Sequence, residues 1–130
     1  MNKDWELRDR YLFGEANKDR YKFGGIAKTT VTPDDIKWLL EHDFIDPEER
    51  QNDSPSTEEF MEYVEGHEGV KFNIYAVSPD RPDYRVTIEE ISVTVQDDED
   101  MIKFVDLFRY ADEFELSRNK SGWKIEAWWD

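Results

Sequence analysis

Cysteine is absent from the chain, which excludes disulfides, thiolate metal sites and a cysteine nucleophile. Long apolar runs are absent too. The longest is Ile74–Val77, far short of a membrane span, and the opening Met1-Asn2-Lys3-Asp4-Trp5-Glu6 has no apolar core of a signal peptide. These two absences point to a cytoplasmic protein. Positive charge is scarce, with 17 Lys and Arg against 32 Asp and Glu, a formal net charge of −15. Binding to nucleic acid draws on Lys and Arg to displace counterions from phosphates, and no basic cluster offsets this field. Direct nucleic-acid binding and docking on anionic lipid are disfavoured for the same reason.

Aromatic residues are plentiful: eight Phe, six Tyr and five Trp. Large rings bury much area each, so a 38% apolar content still builds a core. At 130 residues the sequence fits one α+β domain spanning residues 1–130. The excess of acids has two readings. It keeps a small domain dispersed, or it meets a basic protein.

Near the N-terminus, Asp9-Arg10-Tyr11-Leu12-Phe13-Gly14 is echoed by Asp19-Arg20-Tyr21-Lys22-Phe23-Gly24. Tyr and Phe two apart share one face of a strand, so this region reads as an N-terminal hairpin, with a short helix over Trp5–Arg10 as the alternative. Ile26–Val31 reads as a strand. Thr32-Pro33-Asp34-Asp35 starts a helix whose apolar stripe is Ile36, Leu39, Leu40 and Phe44. A polar loop follows over Asp46–Pro55. Ser56 and Glu59 form a capping box for a second helix lined by Phe60, Met61, Val64 and His67.

From Val70 onward the order is strand, strand, helix, strand, strand. Tyr84, Val86 and Ile88 hold one phase of alternation; Ile91, Val93 and Val95 hold the other. A β-bulge at Glu89-Glu90 would keep all six on the core face, the alternative being a strand end. Asp97–Asp100 opens the third helix, with Met101, Phe104, Val105 and Phe108 as its stripe. The connections are too short for parallel crossovers, so the expected fold is an antiparallel sheet, its C-terminal part ββαββ, packed against two or three helices.

No catalytic motif is present, and no cofactor is implied; the sequence leans away from an enzyme. His42, beside Asp43, and His67 could converge with carboxylates on a metal, but both fall at helix ends, where the backbone dipole favours histidine. The acids of Asp97–Asp100 are consecutive and lack the central glycine of a calcium loop. Trp128 is the residue that fits worst. It projects opposite Trp123 and Trp129 on the last strand, so one core cannot bury all three. Either the N-terminal segment covers it or it is an exposed anchor with an acidic rim. Asp46, Glu48 and Glu49, together with Asp97, Asp98 and Asp100, are the candidate rim residues. The leading functional expectation is an interaction module binding a basic protein, of the inhibitor, immunity or nucleic-acid-mimic type. The alternatives are a structural subunit docking through an open edge such as the last strand, and a small-ligand or metal domain using His42 and His67.

Overall fold

Helix starts in this chain are set by side chains that accept the otherwise unpaired first amides. Two of them are full capping boxes: Thr32 with Asp35, and Ser56 with Glu59. The computed structural model describes all 130 residues. In chain order the elements are α1 (Trp5–Phe13), a 3₁₀ turn (Lys18–Tyr21), β1 (Ile26–Val31), α2 (Pro33–Glu41), α3 (Thr57–Val64), β2 (Lys71–Val77), β3 (Val86–Val95), α4 (Asp98–Phe108), β4 (Glu113–Asn119) and β5 (Gly122–Trp128). No helix is long and apolar enough to cross a membrane.

The five strands form one antiparallel sheet in the order β1-β2-β3-β5-β4. The expected α+β fold and its C-terminal ββαββ order are both present. On β3, Asn73 of β2 faces Glu90 whereas Ile74 faces Ile88, so Glu89 is the extra residue. The bulge therefore falls where the two phases of alternation meet. Val86, Ile88, Ile91, Val93 and Val95 all enter the core as a result, whereas Tyr84, ahead of the strand, is buried against Arg8 and the N-terminal segment.

One core fills the inner face. Phe60 and Tyr63 of α3 meet Phe104 and Phe108 of α4, with Phe72 and Trp129 from the sheet; Phe104 and Phe108 have centroids 4.8 Å apart, and Phe60 meets Trp129 edge-on at 5.5 Å. Each buried ring of this kind contributes about 2–3 kcal/mol. The β4–β5 turn closes over Gly122, whose φ is +121°, and a Cβ there would collide with the Val95 carbonyl oxygen. A side chain at 122 would push the start of β5 away from the end of β3.

The N-terminal hairpin does not form. Residues 5–13 are helical, capped by Asp4 through the Leu7 amide and closed by Gly14 at φ +86°, whose N–H donates to Arg10. The second copy of the echo is a 3₁₀ turn followed by Gly24 at φ +78°. The echoed motif is thus a helical turn with a left-handed glycine stop. Hydrophobic periodicity misses α1 because its buried residues are charged: Arg8 and Asp9 are fully buried, while Leu7 and Tyr11 are exposed. The two echoes bond to each other here. Arg8 Nε donates to Asp9 at 2.9 Å and Arg8 Nη2 to the Tyr21 hydroxyl at 2.8 Å, and that hydroxyl donates to Asp9 at 2.6 Å. Arg8 also lies 4.6 Å over the Tyr84 ring.

Removing one member of this group strands a buried charge, whereas removing one hydroxyl loses only hydrogen bonds. Asp9→Ala is expected to cost about 3–5 kcal/mol and Tyr21→Phe about 1–2 kcal/mol. Urea unfolding measures both, and equal small losses would show the group to be solvated.

Candidate functional site

Strand alternation decides which aromatic residues of β5 reach the core. Ile125, Ala127 and Trp129 point inward and are buried, which turns Trp128 to the opposite face of the sheet. The N-terminal segment does not cover it. That segment lies against α2, where Tyr11 stacks on Trp38 at 3.8 Å, and against Tyr84, whose hydroxyl donates to the Asn2 carbonyl. Trp128 is half-exposed.

The sheet register supplies its surroundings. Glu90 of β3 sits directly across from Trp128 on one side and Glu113 of β4 on the other. Glu126, two residues back on the same strand, faces Glu115. Together these four glutamates and Trp128 line a shallow hollow of about 90 Å³. Neutralisation is slight: Lys124 approaches Glu126 at 3.2 Å, and no basic side chain forms an ion pair with Glu90, Glu113 or Glu115. Asn73 donates an amide hydrogen bond to Glu90. Burial, followed by repulsion from Glu126, Glu89 and Glu115, nevertheless pushes the Glu90 carboxyl up from its ordinary value.

The expected rim residues stand elsewhere. Asp46 accepts the Glu48 amide at 2.8 Å, making a local turn. Glu49 is committed to the fold, paired with Arg85 at 3.3 Å and accepting from Thr87 at 2.9 Å. Asp97 caps α4 by accepting the Asp100 amide, and Asp98 accepts the Trp123 indole N–H at 2.9 Å. Asp100 faces the buried hydroxyl of Tyr63, which burial first and this charge second push up to about 12. None of these six lines the hollow.

The histidines do not converge either. His42 stacks on Trp38 at 4.1 Å and its Nδ1 lies 2.9 Å from the Trp38 carbonyl; His67 stacks on Tyr63 at 4.2 Å with Nδ1 2.6 Å from the Tyr63 carbonyl. Asp43 lies 3.5 Å from the chain's amino terminus. No group of three His, Asp or Glu side chains is arranged to hold a metal. His67 instead borders an open cleft of about 530 Å³ between α3 and α4, with Glu62, Lys103, Asp106 and Leu107 among its lining.

The last strand is not the open edge. β5 is paired on both sides, by β3 and β4, so the sheet ends at β4. The four glutamates escaped sequence reasoning for the same reason. Glu113 and Glu115 are visibly in outward phase with each other, and Glu126 with Trp128, but only the strand order brings the pairs together. Compared with family models, with curated proteins and with solved structures, the chain matches none.

A raised carboxyl works against folding once it ionises. Its folded pKa exceeds the unfolded one, so the folded state loses stability as pH rises through the carboxylate range. Glu90→Gln keeps an acceptor for Asn73 and removes the repulsion. Its melting temperature at pH 7 is expected to rise on the order of 2 °C, with the gain vanishing below the carboxylate range. A gain that persists unchanged at acid pH would assign it to something other than charge.

Proposed function

We propose that this chain is a small acidic interaction module that holds a basic protein partner on the outer face of its sheet. The observation that carries the reading is Trp128, half-exposed and bordered by four glutamates with one lysine among them. A flat indole beside unpaired carboxylates suits an arginine or lysine side chain. The ring attracts the cation by about 0.5–2 kcal/mol, and the carboxylates add charge-assisted hydrogen bonds. The net charge of −15 acts at longer range, drawing a basic partner in and raising the rate of encounter. Inhibitors, immunity proteins and nucleic-acid mimics work on this physical basis, and a cytoplasmic location accords with it.

The reading separates local from global charge. Removing acids remote from the hollow, such as Glu48, changes the field by the same unit as removing Glu115 but leaves the hollow intact. The immobilised protein, challenged with lysate of its host at low salt, is expected to retain a basic protein in stoichiometric amount. Glu115→Gln and Trp128→Ala are expected to weaken retention, whereas Glu48→Gln, with the same net charge as Glu115→Gln, keeps it. Equal retention by all four proteins would sink the reading.

A further inference from the structure

Strand β4 closes one side of the sheet, and no strand lies along its free side. Its pairing with β5 ends in a two-residue turn, Lys120–Ser121, flanked by the facing pair Asn119 and Gly122. In such a hairpin the flanking pair exchanges hydrogen bonds, and bonded and non-bonded pairs alternate from there. Ser117, Glu115 and Glu113 therefore use their backbone groups on β5. Phe114, Leu116 and Arg118 turn their N–H and C=O groups to the open side.

Nothing in the fold covers that side. Every residue of β4 but Phe114 is exposed, Leu116 at 44%. The opposite edge differs: β1 carries buried Ala27 and Val31 and has the 3₁₀ turn beside it. The free edge also adjoins the hollow, because Glu113 and Glu115 belong to both. On the inner side of the same strand, Leu116 is the exposed apolar residue, next to Phe114, which is half-buried near Phe104 of α4.

We propose that β4 receives an extended basic segment of the partner as a sixth, antiparallel strand, with cationic and apolar residues alternating along it. This rests on the basic-partner reading above and adds to it the conformation and residue pattern of what is bound. The phase of alternation follows from the register. Residues level with Glu113 and Glu115 project onto the outer face and are the cationic ones; residues level with Phe114 and Leu116 project inward and are apolar. The inward residues are also those that exchange backbone bonds with β4. Charge selects against the other obvious occupant. A second copy of the chain brings its own net charge of −15, with its own Glu113 and Glu115, to the same edge.

Calorimetric titration with a blocked peptide of four Arg-Val repeats at low salt tests the proposal. Strand addition uses the valine amides, so N-methylation of the valines is expected to weaken binding about tenfold or more, whereas N-methylation of the arginines leaves the bonding edge intact. In the protein, Leu116→Pro removes an outward N–H without taking a bond from β5, and a comparable loss is expected with the circular dichroism spectrum unchanged. If that variant does not fold, the two methylated peptides still decide. Peptides that bind alike, yet lose affinity to Glu115→Lys, would overturn strand addition and leave the basic-partner reading standing. No binding by any peptide would overturn both. A stable dimer of the chain that sheds peptide binding would assign the edge to self-pairing instead.

Discussion

A single extra residue in β3 sets both faces of the sheet. Without the bulge at Glu89, Ile91, Val93 and Val95 would fall in the phase of Thr87 and project away from the helices, and the inner face would lose half of its longest strand. With it, those three residues and Val86 and Ile88 all enter the core. The same insertion turns Glu89 and Glu90 to the outer face together. Glu89 finds Lys28 of β1 at 3.2 Å, and Glu90 is carried across the sheet toward Trp128. The device that completes the core thereby also places the carboxylate with the raised pKa beside the half-buried indole of Trp128.

The acids of this chain divide into those the fold uses and those it does not. Each of the four helices has an acid at its start: Asp4, Asp35, Glu59 and Asp97 bind backbone amides there or complete a capping box. Burial pushes Asp35 up, but the Thr32 amide and the hydroxyls of Tyr11 and Thr32 outweigh it and hold the carboxyl below its ordinary value. Glu49 and Asp9 answer buried or half-buried arginines. Against that background the hollow at Trp128 is distinguished less by being acidic than by being unanswered. Glu113 and Glu115 have neither a cap to make nor a cation to meet, and repulsion among their neighbours is felt at Glu90.

How much of this could be read from sequence depended on range. Capping residues, helix stripes and the phase slip at Glu89-Glu90 act over a few positions, and each was readable. Helix α1 was not, because its buried side is Arg8 and Asp9 rather than an apolar stripe, so pattern and burial disagree. Trp128 stood out from its alternation with Trp129, but its neighbours did not. The strand order β3-β5-β4 inserts the last strand between two earlier ones, and nothing local in the sequence encodes that insertion. The acidic runs that look most prominent in one dimension, Asp46–Asp53 and Asp97–Asp100, are largely engaged in turns, caps and ion pairs.

The strand order also explains why an open edge and an unpaired acidic patch occur together. Had β4 been internal, Glu113 and Glu115 would face a further strand and require partners from within the chain. Placed last, they remain in solvent, where an exposed carboxylate costs little to leave unpaired. Natural sheets guard such edges with charge, since a bare row of N–H and C=O groups pairs with any strand that arrives. On the outer face the guard is Glu113 and Glu115, with Arg118 the one cation of the strand near its turn, and guarding mainly with one sign is a selective form of protection. It repels further copies of this acidic chain and strands of like charge, and it leaves the backbone groups of Phe114, Leu116 and Arg118 available to a strand of the opposite sign. On the proposed reading, the edge that charge protects from aggregation is also the edge that charge opens to a basic partner.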